Sequence, residues 1–143
     1  MMKPNQQILS TLLRTVQLGQ VQIRSILDTS MRSSLRNTLE NQLREYNSLE
    51  TEAYTLALQR GWELPELDPG RRFLKDRVTR LKLSGHNPDS RIADILIQGN
   101  TKGMIQGFKH LHQFDGQDHQ IRVLSQKLLD CETAHIRQMQ NFL

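Results

Sequence analysis

Cysteine occurs once in the sequence, at position 131. A single thiol excludes an intramolecular disulfide and a cysteine zinc site. Placed in a helical pattern beside Leu128 and Leu129, it is expected to be a part-buried side chain rather than a reactive one. Aromatic residues make up only 5% of the chain, and Leu, Ile, Gln and Arg dominate, which favours helix over strand. Long apolar runs are also missing. No segment approaches the roughly 18 apolar residues of a membrane span. The start, MMKPNQQILS, has no apolar stretch of the length a secretory leader needs, so an intracellular, cytoplasmic location is expected. No Gly-rich phosphate loop occurs, and no motif arranges Ser, His and Asp as a triad. A length of 143 residues points to one domain, 1–143, large enough to bury a real core.

The chain is rich in helical periodicity. Residues 5–27 repeat apolar groups at Ile8, Leu12, Val16, Ile23 and Leu27. Asp28, Thr29 and Ser30 break the pattern and can cap the second helix. Residues 31–60 continue it through Leu35, Leu39, Leu43, Tyr46, Leu49, Ala53 and Leu56, and stop at Gly61, which tolerates a left-handed backbone. GWELPELDPG (61–70) is a loop, from which Trp62 is expected to pack over the end of the bundle. A short amphipathic helix is expected at 70–83, then a break at SGHNPDS (84–90), with Asp89 or Ser90 as cap. Helices at 90–113 and 118–142 complete the chain, joined by a turn at 115–118. Short turns make each pair an antiparallel hairpin. The join of about 30 residues between the pairs is long enough to run back along the bundle. The expected fold is an all-α four-helix bundle of two antiparallel hairpins with a long crossover.

The net charge of +4 is uneven. RRFLKDRVTRLK (71–82) holds Arg71, Arg72, Lys75, Arg77, Arg80 and Lys82 against Asp76, so the rest of the chain is slightly acidic. These cations surround Leu74, Val78 and Leu81, as on a solvated helix face with an apolar underside. Neither a base-reading motif nor interleaved aromatics accompany them, which leaves nonspecific phosphate contact as the nucleic-acid reading. His110, His112 and His119 are expected at the surface.

LRNTLENQLREYNSLETEAYTLALQRGWELP (35–65), ADILIQGNTKGMIQGFKHL (93–111) and LSQKLLDCETAHIRQMQNFL (124–143) resemble the ferritin-like superfamily, and more narrowly the spore coat protein F group of spore-forming bacteria. The resemblance implies a ferritin-like bundle. It implies iron or oxygen chemistry only where ligands survive, and otherwise a structural or accessory role in the spore coat. In two-iron bundles, two helices each supply Glu-x-x-His and the other two each supply Glu. Here Glu132-x-x-His135 stands alone. Helix one has no Glu or His, helix three has no Glu, and Glu50 is followed three residues later by Ala53. Glu50, Glu132 and His135 could hold one divalent iron, manganese or zinc ion but not two irons. The simpler expectation is no cofactor, with Glu132 and His135 hydrogen-bonded to each other or to Gln17, Gln20 or Tyr46.

Gly99, Gly103 and Gly107 fall on one face of helix three. Each is unfavourable by about 1 kcal/mol relative to Ala, so close packing should compensate. Gly19 on helix one is a matching small residue. The face is expected either to pack within the bundle or to form a subunit interface, with Ile97, Met104, Phe108 and Leu111 as neighbouring core. The sequence therefore suggests a non-catalytic structural or interaction protein that associates with itself or with other proteins. Metal binding through the reduced ligand set is the first alternative. Nonspecific nucleic-acid binding through 71–82 is the second.

Overall fold

Leu and Ile recur every three or four residues through four stretches, and each stretch is an α-helix. The computed structural model describes residues 4–65, 88–113 and 118–143. Its helices are α1 (Pro4–Leu27), α2 (Ser33–Arg60), α3 (Pro88–Gln113) and α4 (His119–Gln140), within two residues of the expected limits at every end. No strand occurs among the described residues. The short helix expected at 70–83, the basic segment 71–82, the turn at 115–117 and the side chain of His110 lie outside the described residues.

The ends are set by local chemistry. Gly61 adopts a left-handed φ of 70°. There Trp62 N–H donates to the Ala57 carbonyl at 2.9 Å and Gly61 N–H to that of Leu58 at 3.2 Å, which closes α2. Trp62 is half-buried against the core, as expected. The expected capping of α2 by Asp28, Thr29 or Ser30 does not form. Arg32 stands at the N-cap with no side-chain hydrogen bond, and the Thr29 hydroxyl donates back to Ile26 in α1. Proline, which needs no N–H partner, opens α3 at Pro88. Asp118 caps α4, accepting from Gln120 N–H and Ile121 N–H, and pairs with Arg60 at 2.6 Å.

Cross-helix contacts fix the topology. Along α2 and α4, Gln42 meets Gln138, Tyr46 meets Glu132 and Lys127 meets Glu52, so these helices run antiparallel. A Cβ on Gly99 would face Gln22, and one on Gly103 would face Thr15, so α1 and α3 are antiparallel too. Arg32 bonds Asp89 at 2.7 Å, which places the starts of α2 and α3 at the same end. The end of α2 and the start of α3 therefore lie at opposite ends of the bundle, separated by the length of α2, about 42 Å. The described helices form two antiparallel hairpins, α1–α2 and α3–α4.

The core is aliphatic, with Leu9, Leu13, Val16, Ile26, Leu35, Leu39, Ile92 and Ile121 fully buried. On α3 its position departs from expectation. Ile92, Ala93 and Leu96 are buried, whereas Ile97, Met104 and Leu111 are only half-buried and Phe108 is exposed and stacked on His112. The first turns of α3 carry most of its buried face; beyond them Gly99 and Gly103 lie against Gln22, Thr15 and Glu132, and Gly107 against Leu129.

Candidate functional site

Halfway along the bundle the aliphatic core gives way to a layer of buried polar side chains. Gln42, Tyr46, Glu132 and His135 are each at most 2% exposed, so partners are obligatory. Helical spacing supplies them. Gln42 and Tyr46 lie one turn apart on α2, and Glu132, His135 and Met139 occupy the inward face of α4.

The Tyr46 hydroxyl donates to Glu132 Oε1 at 2.9 Å, and Asn100 Oδ1 lies 3.2 Å from the same hydroxyl. One hydroxyl proton cannot serve both acceptors. Either Glu132 carries a proton and donates to Tyr46, or the Asn100 amide turns its Nδ2 toward the ring oxygen. Burial pushes the Glu132 carboxyl up to about 7, partly offset by the Tyr46 bond. Burial likewise holds the Tyr46 hydroxyl well above its ordinary range. Asn100 Nδ2 is buried without a hydrogen-bond partner.

His135 turns to a different neighbour. Its Nε2 lies 2.8 Å from Glu45 Oε2 and 3.3 Å from Cys131 Sγ, and Sγ lies 3.4 Å from the same Glu45 oxygen. The Tyr46 ring meets the imidazole edge-on at 5.1 Å and fixes its plane. Burial lowers the His135 pKa, against an opposing bond from Glu45, so the ring is held neutral. Burial, followed by the Glu45 carboxylate, pushes the Cys131 thiol up. The His135 side chain is fully buried whereas that of Glu45 is 49% exposed, so the trio runs from the core to the surface of the α2–α4 seam.

Glu45, Cys131 and His135 each offer a ligand atom, all within 4.8 Å of one another. This is the cluster of three or more His, Cys, Asp or Glu side chains that the described residues assemble. It shares only His135 with the set Glu50, Glu132 and His135 read from the sequence. Glu50 accepts instead from Gln17 at 3.3 Å on the α1–α2 side, and Glu132 is bound to Tyr46. A lone cysteine is too narrow a ground for excluding zinc, since one thiolate suffices when His and Glu join it. The sequence does carry the signal: Cys131 and His135 are four apart, on one helix face.

The glycine face looks inward. A Cβ on Gly19 would lie 2.7 Å from Tyr46 Cζ, and one on Gly99 2.7 Å from Gln22 Oε1. At Gly103 it would lie 3.3 Å from Glu132 Cδ, and at Gly107 3.6 Å from Leu129 Cδ1. At all four positions the nearest side chains belong to the same chain. His112 and His119 are exposed. No described helix is long and apolar enough to cross a membrane.

No protein-family model matches the chain, and no curated protein matches it. Among solved structures it is similar to a DUF305 fragment from Deinococcus radiodurans, with a TM-score of 0.76 and 10% identity over 98% of this chain and 95% of that one. At that identity the likeness shows the fold alone. It points toward a DUF305 helical fold rather than the ferritin-like or spore coat protein F group, and corrects that resemblance. The spore coat role and location that the resemblance implied lose their support with it. Leu spaced every three or four residues along four helices is demanded by any such bundle, so the similarity of residues 35–65, 93–111 and 124–143 is one of packing pattern.

Proposed function

We propose that this chain binds one divalent transition-metal ion of the zinc class between α2 and α4, through Glu45, Cys131 and His135. The observation that carries the reading is the mutual spacing of the three ligand atoms, 2.8, 3.3 and 3.4 Å. A tetrahedral ion with a sulfur ligand at about 2.3 Å and nitrogen and oxygen ligands at about 2.0–2.2 Å sets its donors roughly 3.3–3.6 Å apart. Both sulfur spacings match. The nitrogen–oxygen pair would open by about 0.5 Å, which the half-exposed Glu45 carboxylate can supply by moving outward.

The donor types favour zinc over manganese, because a thiolate and an imidazole are softer ligands than an all-oxygen set. Three protein ligands leave a fourth position, facing the exposed Glu45 side, for water or a group from another molecule. In this reading the polar layer is the support of the site. Tyr46 fixes the imidazole plane, while Glu132 anchors Tyr46. Binding rather than turnover is the proposed role.

Cobalt titration of the full chain tests the proposal. Co2+ is expected to bind one equivalent and give a thiolate-to-metal charge-transfer band. Cys131→Ser should abolish the band, and Glu45→Gln should weaken binding about tenfold. Glu50→Gln should leave both unchanged. Absence of the band in the parent chain, or its persistence in Cys131→Ser, would overturn the proposal. Loss on Glu50→Gln but not on Glu45→Gln would restore the sequence-derived ligand set instead.

A further inference from the structure

Glu45 belongs to two features of the α2–α4 seam. Its Oε2 meets His135 and Cys131, and its side chain also borders a groove of about 580 Å³. Thr38, Asn41, Arg44, Ser48 and Gln138 line the rest of that groove. Helical spacing gathers them, since Thr38, Asn41, Glu45 and Ser48 follow one another at steps of three or four along α2. The lining is uneven in charge. Glu45 is its one carboxylate and Arg44 its one cation. Arg44 is exposed and makes no ion pair among the described residues. Its guanidinium donates to Asn41 Oδ1. A guanidinium can only donate, so this contact settles the Asn41 amide with Nδ2 as its free group. Beside the candidate ligand Glu45, the groove therefore presents donors.

We infer that the fourth position of the ion takes the carboxylate of a small organic acid, whose second oxygen is held by Arg44. The inference rests on the metal reading of Glu45, Cys131 and His135. The ligand charges decide what that position can accept. A divalent ion held by a thiolate, a carboxylate and a neutral imidazole is left without net charge. An anionic fourth ligand then leaves one negative charge at the seam, and Arg44, next in the chain to Glu45, supplies the matching positive charge. Among anions a carboxylate fits both partners. One oxygen reaches the ion, and the other accepts from the planar guanidinium fork. Asn41 is a positioning residue, which holds the guanidinium along the groove wall.

Visible absorption of the cobalt-loaded full chain tests the inference, with acetate as probe and imidazole as comparison. The thiolate charge-transfer band reports the ion, and the d–d bands report its fourth ligand. Acetate is expected to shift the d–d bands in a saturable way while the charge-transfer band persists. Arg44→Ala should weaken acetate about tenfold, the loss of one charge-assisted hydrogen bond, and Arg44→Lys should weaken it less. Imidazole, a neutral ligand, should bind parent and Arg44→Ala alike. A charge-transfer band with d–d bands indifferent to acetate would overturn this inference and leave the metal reading standing. Acetate binding untouched by Arg44→Ala would overturn it too, because the open position then takes any ligand. An equal loss of imidazole and acetate in Arg44→Ala would mean that Arg44 supports the site as a whole, and would also overturn it. Absence of the charge-transfer band in the parent chain would remove the ion, and this inference with it.

Discussion

A methyl group added at Gly19 would lie 2.7 and 2.8 Å from Cζ and Cε2 of Tyr46, a ring fixed by Glu132 on one side and His135 on the other. The ring cannot withdraw without breaking both contacts. Gly19→Ala is therefore expected to destabilise the fold by about 1–3 kcal/mol through overpacking, despite the helix propensity it gains. At Gly107 the same methyl would meet Leu129 Cδ1 at 3.6 Å, an ordinary contact. Gly107→Ala should stabilise by up to about 1 kcal/mol. Urea unfolding of the two variants checks the pair, and equal effects would show that the stripe is not read by its neighbours. Glu132 gives a second residue-scale prediction. Its pKa in the folded chain, about 7, lies above the ordinary 4.5. Below about pH 4.5 both folded and unfolded chains hold the proton and no penalty exists. As pH rises toward 7 the unfolded chain ionises first, so the contribution of Glu132 to stability falls, and it levels off above about 7. The loss is on the order of 3 kcal/mol. His135 works in the opposite direction, since its lowered pKa removes stability as pH falls below its ordinary 6.5. Glu132→Gln keeps an acceptor for Tyr46 and removes only the first slope. The stability difference between parent and variant, measured from pH 4 to 8 in chelator, should therefore shift in favour of Gln as pH rises.

At the scale of elements, α4 depends on a cap that its sequence only partly announces. Asp118 accepts from Gln120 N–H at 2.9 Å and Ile121 N–H at 3.4 Å and also binds Arg60 across the seam. Asp118→Ala should lower stability by about 1–2 kcal/mol, and thermal unfolding measures it. The limits of all four helices are legible because apolar spacing and Gly61 mark them locally. The cap of α2 is not, because Thr29 closes α1 and leaves Arg32 to begin α2. The burial pattern of α3 escapes the sequence for a related reason. Its Ile97–Phe108 stretch has helical apolar spacing, but the glycines opposite Thr15, Gln22 and Glu132 tie that part of the helix to polar neighbours. Periodicity tells which residues share a face and not what the face meets. The candidate metal ligands show the same limit. Glu132 and His135 share a face of α4, yet one turns to Tyr46 and the other to Glu45. Glu45 itself carries no local signal, since a half-exposed Glu on α2 looks like any solvated residue until α4 is laid beside it.

At the scale of the molecule, the Glu45, Cys131 and His135 cluster joins one hairpin to the other. Glu45 lies 86 residues from Cys131 and 90 from His135 in the chain. In the unfolded state, bringing α2 and α4 together to rebuild the trio carries a loop-closure cost of roughly 4 kcal/mol, so an ion prefers the folded chain. Cys131 and His135 alone, four residues apart, keep only weak affinity when unfolded. Under the proposed function, zinc at about 100 times its dissociation constant should therefore raise the unfolding free energy by about 2.7 kcal/mol. For a chain of this size that is a rise of roughly 8 °C in thermal midpoint. Cys131→Ser should show no rise, while Glu45→Gln should show a smaller one, because its loss weakens the ion's tie to α2. The same scans with and without zinc separate two meanings of a stable bundle. A midpoint that rises only in the parent chain makes the ion a clasp between the hairpins. A midpoint unmoved, or lowered, means that the trio is a hydrogen-bonded polar contact and that the bundle holds its hairpins together by the aliphatic core alone.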